Sequence, residues 1–202
     1  MNQKRRARTG RQLDPSRDGA ILHAALEGLA EVGYDRLTMD EIAARAHAGK
    51  GALYRRWPSK AALVVDALVA WREQLAPLDP PDMGSLRGDI DAIIDAVPDF
   101  SEVDQRMMGV ISGVATAAAR DSELAAAFTE QILERPRALL RTVLERARER
   151  GEIPVDRPLD LVPEILIGLN MLGVILGRPP DRASVRRVFA EIIYPLVTAP
   201  PA

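Results

Sequence analysis

Leu37-Thr38-Met39-Asp40-Glu41-Ile42-Ala43-Ala44-Arg45-Ala46-His47-Ala48-Gly49-Lys50-Gly51-Ala52-Leu53-Tyr54-Arg55-Arg56-Trp57-Pro58-Ser59-Lys60 decides the reading of this chain, because it spells two short helices around a tight turn and the start of a third. Thr38 is placed to cap a helix, and Glu41, three residues on, to reach back to the cap's own N–H, which makes a capping box. Met39, Ile42, Ala43 and Ala46 recur at helical spacing and form a narrow apolar stripe, leaving Asp40, Glu41, Ala44 and Arg45 on the outer side. His47-Ala48-Gly49 interrupts the stripe. Lys50 to Arg56 resumes it with Leu53 inward and Lys50, Tyr54, Arg55 and Arg56 outward. Pro58 stops this helix, and Ser59 is a ready cap for another that begins at Lys60 and runs through Leu63, Ala67 and Leu68 towards Trp71.

Two short helices joined this way form a helix-turn-helix, a device for reading DNA. It needs a small residue where the helices cross, an unusual backbone angle in the turn and an aliphatic plug in the second helix. Ala43, His47 and Leu53 stand at those places. The turn favours glycine because its φ is positive there. Histidine is among the other residues enriched at positive φ, so the sequence predicts a left-handed His47.

Ala25-Leu26, Gly33-Tyr34, Thr38 to Ala43, and Lys50 to Arg55 with Trp57-Pro58-Ser59-Lys60 resemble the N-terminal domain of tetracycline-repressor-like (TetR/AcrR) regulators. The ordered match covers the first third of the chain. The remainder is similar to that family only in length and helical character. Three departures stand out: His47 for the usual glycine, Ala48 for a bulkier aliphatic and Gly49 for a small hydroxyl residue. The resemblance implies an all-α protein, with an N-terminal three-helix helix-turn-helix domain and a C-terminal helical bundle that dimerises and binds a small molecule. By resemblance and position, Thr38, Tyr54 and Lys60 are expected at phosphates. Lys50, Gly51 and Arg55 are expected nearest the base edges, with Ala52 among them, and Arg56 in either role. The implied function is a sequence-specific transcriptional regulator, a repressor released from a palindromic operator by a small apolar or amphipathic effector.

Charge supports the same end of the chain. The net charge is −2, from 27 Lys and Arg against 29 Asp and Glu, but residues 1–60 hold 12 basic and 7 acidic residues and the rest hold 15 and 22. The motif therefore lies in the basic part, which directs a polyanion to one end of the molecule. The 47% hydrophobic content supports a sizeable core. The absence of cysteine leaves no disulfide, thiol nucleophile or thiolate metal site, and fits a reducing cytoplasm. The basic N-terminus lacks the apolar region of a secretory signal, and the longest apolar run, residues 165–177, is too short to span a bilayer.

Residues 1–13 are expected to be a flexible basic arm, in which Arg5 and Arg6 either touch phosphate or the minor groove or serve a solubilising tail. Residues 14–60 make the reading domain and 61–202 the ligand-binding and dimerisation domain. The first helix starts at Asp14-Pro15-Ser16, buries Ile21, Leu22, Ala25, Leu26 and Leu29, and ends near Gly33. After a Pro/Gly-rich break at 77–84, helices are predicted over 85–96, 102–120, 122–150, 159–176 and 183–197, with Pro136 kinking or dividing the third. Gly109 and Gly113, four apart, are read as a tightly packed helix crossing. The segment 159–176 is apolar on nearly every side. It is therefore expected, through Leu166, Leu169 and Leu172, to meet its copy in a homodimer together with Val188, Phe189, Ile192, Ile193 and Leu196 of the last helix. Trp71, Met107, Met108, Ile111, Phe128 and Ile132 are the apolar candidates for an effector cavity, each with plain core as the alternative.

Enzymatic signatures are missing. His23 and His47 are the only histidines, Gly49-Lys50-Gly51 lacks the rest of a phosphate loop, and neither a nucleophile elbow nor a dinucleotide fingerprint occurs. No catalytic residue, cofactor or metal is expected. Two rivals remain: a DNA-binding dimer without an effector, and an α-helical enzyme with its site in the C-terminal part.

Overall fold

A computed structural model describes residues 15–74, 79–96, 102–176 and 181–199, and these are helical without a strand among them. Helix α1 (Pro15–Arg36) is followed by α2 (Met39–Arg45), α3 (Lys50–Tyr54) and α4 (Lys60–Glu73). Then come α5 (Leu86–Ala96), α6 (Glu102–Ala118), α7 (Ser122–Phe128), α8 (Glu134–Glu149), α9 (Val162–Ile175), α10 (Arg182–Val188) and α11 (Tyr194–Thr198). The expected arm residues Arg5 and Arg6 lie outside the described residues.

Apolar packing does not pause at position 60. One core joins Ile21, Ala25 and Leu29 of α1, Ile42 of α2 and Leu53 of α3 to α4, α6 and α7. Helix α4 is its spine, with Leu63, Val64, Val65, Ala67 and Leu68 fully enclosed. Trp71, Met107, Ile111, Phe128 and Ile132 belong to the same core at 4–9% exposure, and Met108 packs half-buried against it. Their burial is thus accounted for by packing between the head and the body. A second core is built by α5, α8 and the final helices around Leu86, Ile94, Val143, Leu144 and Ile193.

Helix α1 turns sharply at Gly33, which takes φ 74° and ψ 170°, a conformation open to glycine and strained for other residues. Further back, Gly28 lies under Leu37: a Cβ there would come within 2.6 Å of a Leu37 methyl, so the absent side chain is what lets Leu37 close the core.

The predicted 122–150 helix divides, but not at the proline itself. A wide π turn spans Thr129–Leu133 between α7 and α8, and another spans Phe189–Ile193 between α10 and α11. Pro136 has no N–H to offer the Ile132 carbonyl four residues back. Arg72 of α4 supplies the missing donor, its Nη1 lying 2.6 Å from that oxygen. Burial holds the Arg72 guanidinium below its ordinary pKa, with Arg135 nearby adding to the effect.

Two expectations are corrected. Phe189 and Ile193, assigned to a dimer interface, are 7% and 0% exposed inside the subunit's second core. The π turn there points Phe189 edge-on to Tyr194, with ring centroids 6.1 Å apart, and leaves Ile192 and Leu196 at the surface. Gly109 and Gly113 do not mark a tight crossing either. Both are exposed and a Cβ on either meets nothing within 4 Å, because they face an open groove between α1 and α6.

Two predictions concern stability. Arg72→Met should lower it by about 1–3 kcal/mol by leaving a carbonyl unpaired. In a Pro136→Ala background that cost should shrink, because the introduced alanine restores a backbone N–H; denaturant melts of the four proteins measure the coupling. Asp121→Ala should cost about 1–2 kcal/mol, since Asp121 caps α7 through the Leu124 N–H and accepts from Tyr34 at 2.9 Å. The Asp121 carboxyl is held below its usual range, first by the Leu124 N–H and then by the Tyr34 hydroxyl. Its contribution should therefore be complete above the ordinary carboxylate pKa and fade as the pH falls through the lowered value, which thermal melts in acid would show.

Candidate nucleic-acid interface

The reading head is assembled from local signals. Thr38 and Glu41 form the expected capping box: the Thr38 Oγ1 accepts from the Glu41 N–H at 3.2 Å, and Glu41 Oε2 accepts from the Thr38 N–H at 2.8 Å. The Thr38 hydroxyl also donates to Glu41 Oε2 at 2.8 Å, and this bond first, with that from the Thr38 N–H second, holds the Glu41 carboxyl below its ordinary pKa. His47 takes φ 48°, the left-handed turn read from the sequence. The Ala48 N–H returns to the Ala43 carbonyl at 2.9 Å and closes the turn. Gly49 caps α3 without a side-chain hydrogen bond. Ala43 at the crossing is 4% exposed and Leu53 beneath α3 is 0% exposed, so a single aliphatic plug seats the second helix.

With its underside pinned, α3 presents Lys50, Gly51, Tyr54 and Arg55 outward, while Ala52 is half-buried. The Arg55 guanidinium lies back along the helix, 3.6 Å from the place where a Gly51 Cβ would be. Lys50 Nζ sits 2.5 Å from Asp40 Oδ2 on α2. Arg56 departs from expectation: its side chain, 11% exposed, turns away from the outer face and pairs with Asp18 of α1, which binds the end of α3 to the supporting helix.

Lys60 is also engaged. Its ammonium donates to the Tyr34 carbonyl at 2.8 Å and stands 4.1 Å above the Tyr34 ring, so the start of α4 is tied to the end of α1 beyond its kink at Gly33. Tyr34 in turn donates to Asp121, and Arg120 pairs with Asp35 at 2.9 Å. Burial, with the bond to Asp121 second, pushes the Tyr34 hydroxyl well above its ordinary pKa. Trp57, 6% exposed, donates from Nε1 to Asp66 at 2.7 Å. Thr38, Lys50, Gly51, Ala52, Tyr54 and Arg55 are brought together on α2 and α3, with Lys60 at the margin.

Sequence reasoning missed Asp18, Asp40 and Asp121 as partners. Asp121 had a signal, an Asp immediately before a predicted helix. Asp18 and Asp40 had none, because their meaning depends on which cations the fold brings opposite them.

The likeness to known proteins covers both halves of the chain. Residues 21–67 match the family described as bacterial regulatory proteins, tetR family, and residues 80–192 match the tetracyclin repressor-like C-terminal domain. An uncharacterized HTH-type transcriptional regulator of Mycobacterium tuberculosis is 36% identical over 196 residues, 93% of each chain. A DNA-binding transcriptional repressor TetR of Mycobacteroides abscessus is 30% identical over 182 residues, 90% of this chain and 94% of that one. Among solved structures, a TetR family transcription regulator is 29% identical with a TM-score of 0.63, over 88% of this chain and 97% of that one. A putative TetR-family regulator from Rhodococcus sp. shares the fold at TM-score 0.71 and 17% identity, over 92% and 100% of the two chains. The protein thus belongs to the tetR family of bacterial regulatory proteins and is a DNA-binding transcriptional regulator.

Proposed function

We propose that this regulator is a homodimeric repressor that sets two copies of α3 into successive major grooves of a palindromic operator and leaves it when a small apolar or amphipathic molecule binds the body. The observation that carries the DNA contact is the outward, pinned face of α3, where Tyr54 is 52% exposed above a fully buried Leu53. Thr38, Tyr54 and Lys60 are assigned to phosphates, and Lys50, Gly51 and Arg55 to base edges, because phosphate contacts position while edge contacts specify. No catalytic step is part of this function, and the site of action is the cytoplasm.

The dimer is supported by an apolar surface that a monomer would leave in water. Leu169, Leu172 and Ile175 of α9 and Leu176 at its C-cap are 41–59% exposed, and Ile192 of the second π turn and Leu196 of α11 are 50% and 47% exposed. Two helices from each subunit would close this face as a four-helix interface, which fixes the spacing of the two heads. Leu166 lies half-buried at its edge.

Effector response is supported by continuity. Trp71, Met107, Met108, Ile111, Phe128 and Ile132 pack in the core that contains α4, so a molecule opening that core shifts the helix that carries the head. A second reading, regulation without an effector, is favoured by the low exposure of the same residues. A thermal-shift screen separates the two. Compounds that stabilise the protein and weaken operator binding support the first reading; stabilisation with no effect on DNA binding defeats it.

Leu169→Asp with Leu172→Asp should convert the protein to monomers in sedimentation and cut operator affinity by an order of magnitude or more, since each half-site then binds alone. Selection from a random duplex pool should return an inverted repeat with half-sites one helical turn or a small multiple apart. Lys60→Ala should weaken all duplexes alike and flatten the salt dependence, whereas Tyr54→Phe should leave the melting temperature unchanged and lower affinity without changing sequence preference.

A further inference from the structure

Most cations of the reading head already have partners inside it. Arg45 pairs with Glu31, Arg56 with Asp18, and Lys60 donates to the Tyr34 carbonyl. Lys50 differs because the cation itself stays mostly outside, where the Arg45 and Arg56 side chains are 32% and 11% exposed. Asp40 stands in the first turn of α2, and the two side chains meet at 2.5 Å while remaining 58% and 64% exposed. Lys50 and Tyr54 are four residues apart on α3 and therefore share a face. The ion pair thus stands on the surface assigned to the groove, and its exposure gives it little part in holding the fold together.

We infer that Asp40 is a specificity-determining residue: it restrains the Lys50 ammonium so that the head offers the major groove a coupled acceptor and donor, fitted to one C·G base pair. Guanine presents two adjacent acceptors, O6 and N7, to an ammonium group, and the paired cytosine presents its N4 amine to a carboxylate. An A·T pair also presents an amine, the adenine N6, but it stands between two single acceptors, N7 and the thymine O4, so the ammonium finds only one acceptor where guanine offers two side by side. A carboxylate carried among phosphates without an amine partner is repelled, so sequences lacking that amine are rejected as well as poorly gripped.

This inference rests on α3 being the groove-entering helix, and its test separates the two claims. Full-length protein, Asp40→Asn, Lys50→Met and the double variant are each used to select from a random duplex pool, followed by affinity measurements on the selected and base-changed sites. The unaltered protein should enrich C·G at one position of each half-site. Asp40→Asn should reduce the preference at that position by roughly tenfold while strengthening binding to unselected DNA. In the Lys50→Met background the effect of Asp40→Asn on that preference should shrink, because the carboxylate then meets the amine without the ammonium it is coupled to. Circular dichroism confirms folding, and Asp40→Ser replaces the asparagine variant if helicity is lost. A uniform gain in affinity across all sequences, in both backgrounds, would overturn the inference and reduce Asp40 to a repulsive charge. So would an enriched site whose every position ignores Asp40→Asn. Failure of the unaltered protein to enrich any sequence would instead remove the groove-entering role of α3, and the inference with it.

Discussion

The enclosure of α4 is the constraint on which the rest of the molecule depends. Its apolar residues from Leu63 to Leu68 are fully buried between α1, α7 and the turn that follows, so a helix of 14 residues has almost no free side. Both of its ends carry specific bonds: Lys60 to the Tyr34 carbonyl at the start and Arg72 to the Ile132 carbonyl near the finish. Close-packed interiors resist continuous deformation, so this helix moves as a unit or not at all. The head and the adjoining body are therefore one mechanical object, although the sequence changes character between them.

Electrostatics divide the labour differently. In the second core, Asp89 is completely buried, yet it accepts from the Met83 N–H and pairs with Arg150, while Glu152 accepts from the Leu86 N–H. These bonds clamp the start of α5 to the end of α8. In the head, carboxylates tether the very cations that give it a positive balance. A polyanion must compete with Asp18 and Glu31 for their arginines, so these two cations are less available for direct phosphate contact, while the net charge that acts at long range already counts both acids.

The helix-turn-helix was legible because its determinants are local. The capping pair Thr38 and Glu41, the left-handed His47 and the buried Leu53 each follow from spacing within a few residues. The later helices were legible as spans, since period and proline placement mark them. Their facing was not. Phe189 and Ile193 sit on an apolar stripe that reads equally as interface or as core, and the π turn that points them inward has no spacing signature. Arg56 has the same ambiguity: its inward turn depends on Asp18, 38 positions earlier in the sequence. Gly109 and Gly113 carry a pattern that usually means contact, but contact requires a second helix at that place, and the fold puts a groove there.

The wide turn at Thr129–Leu133 sits where the chain crosses from one core to the other. Leu124 and Phe128 before it belong with α4, and Val143 and Leu144 after it belong with α5. A π turn takes up one surplus residue within a helix and so shifts the register of the residues that follow it. The facing of α7 and of α8 is thereby set separately on the two sides of this seam, each to the hydrophobic interior it closes.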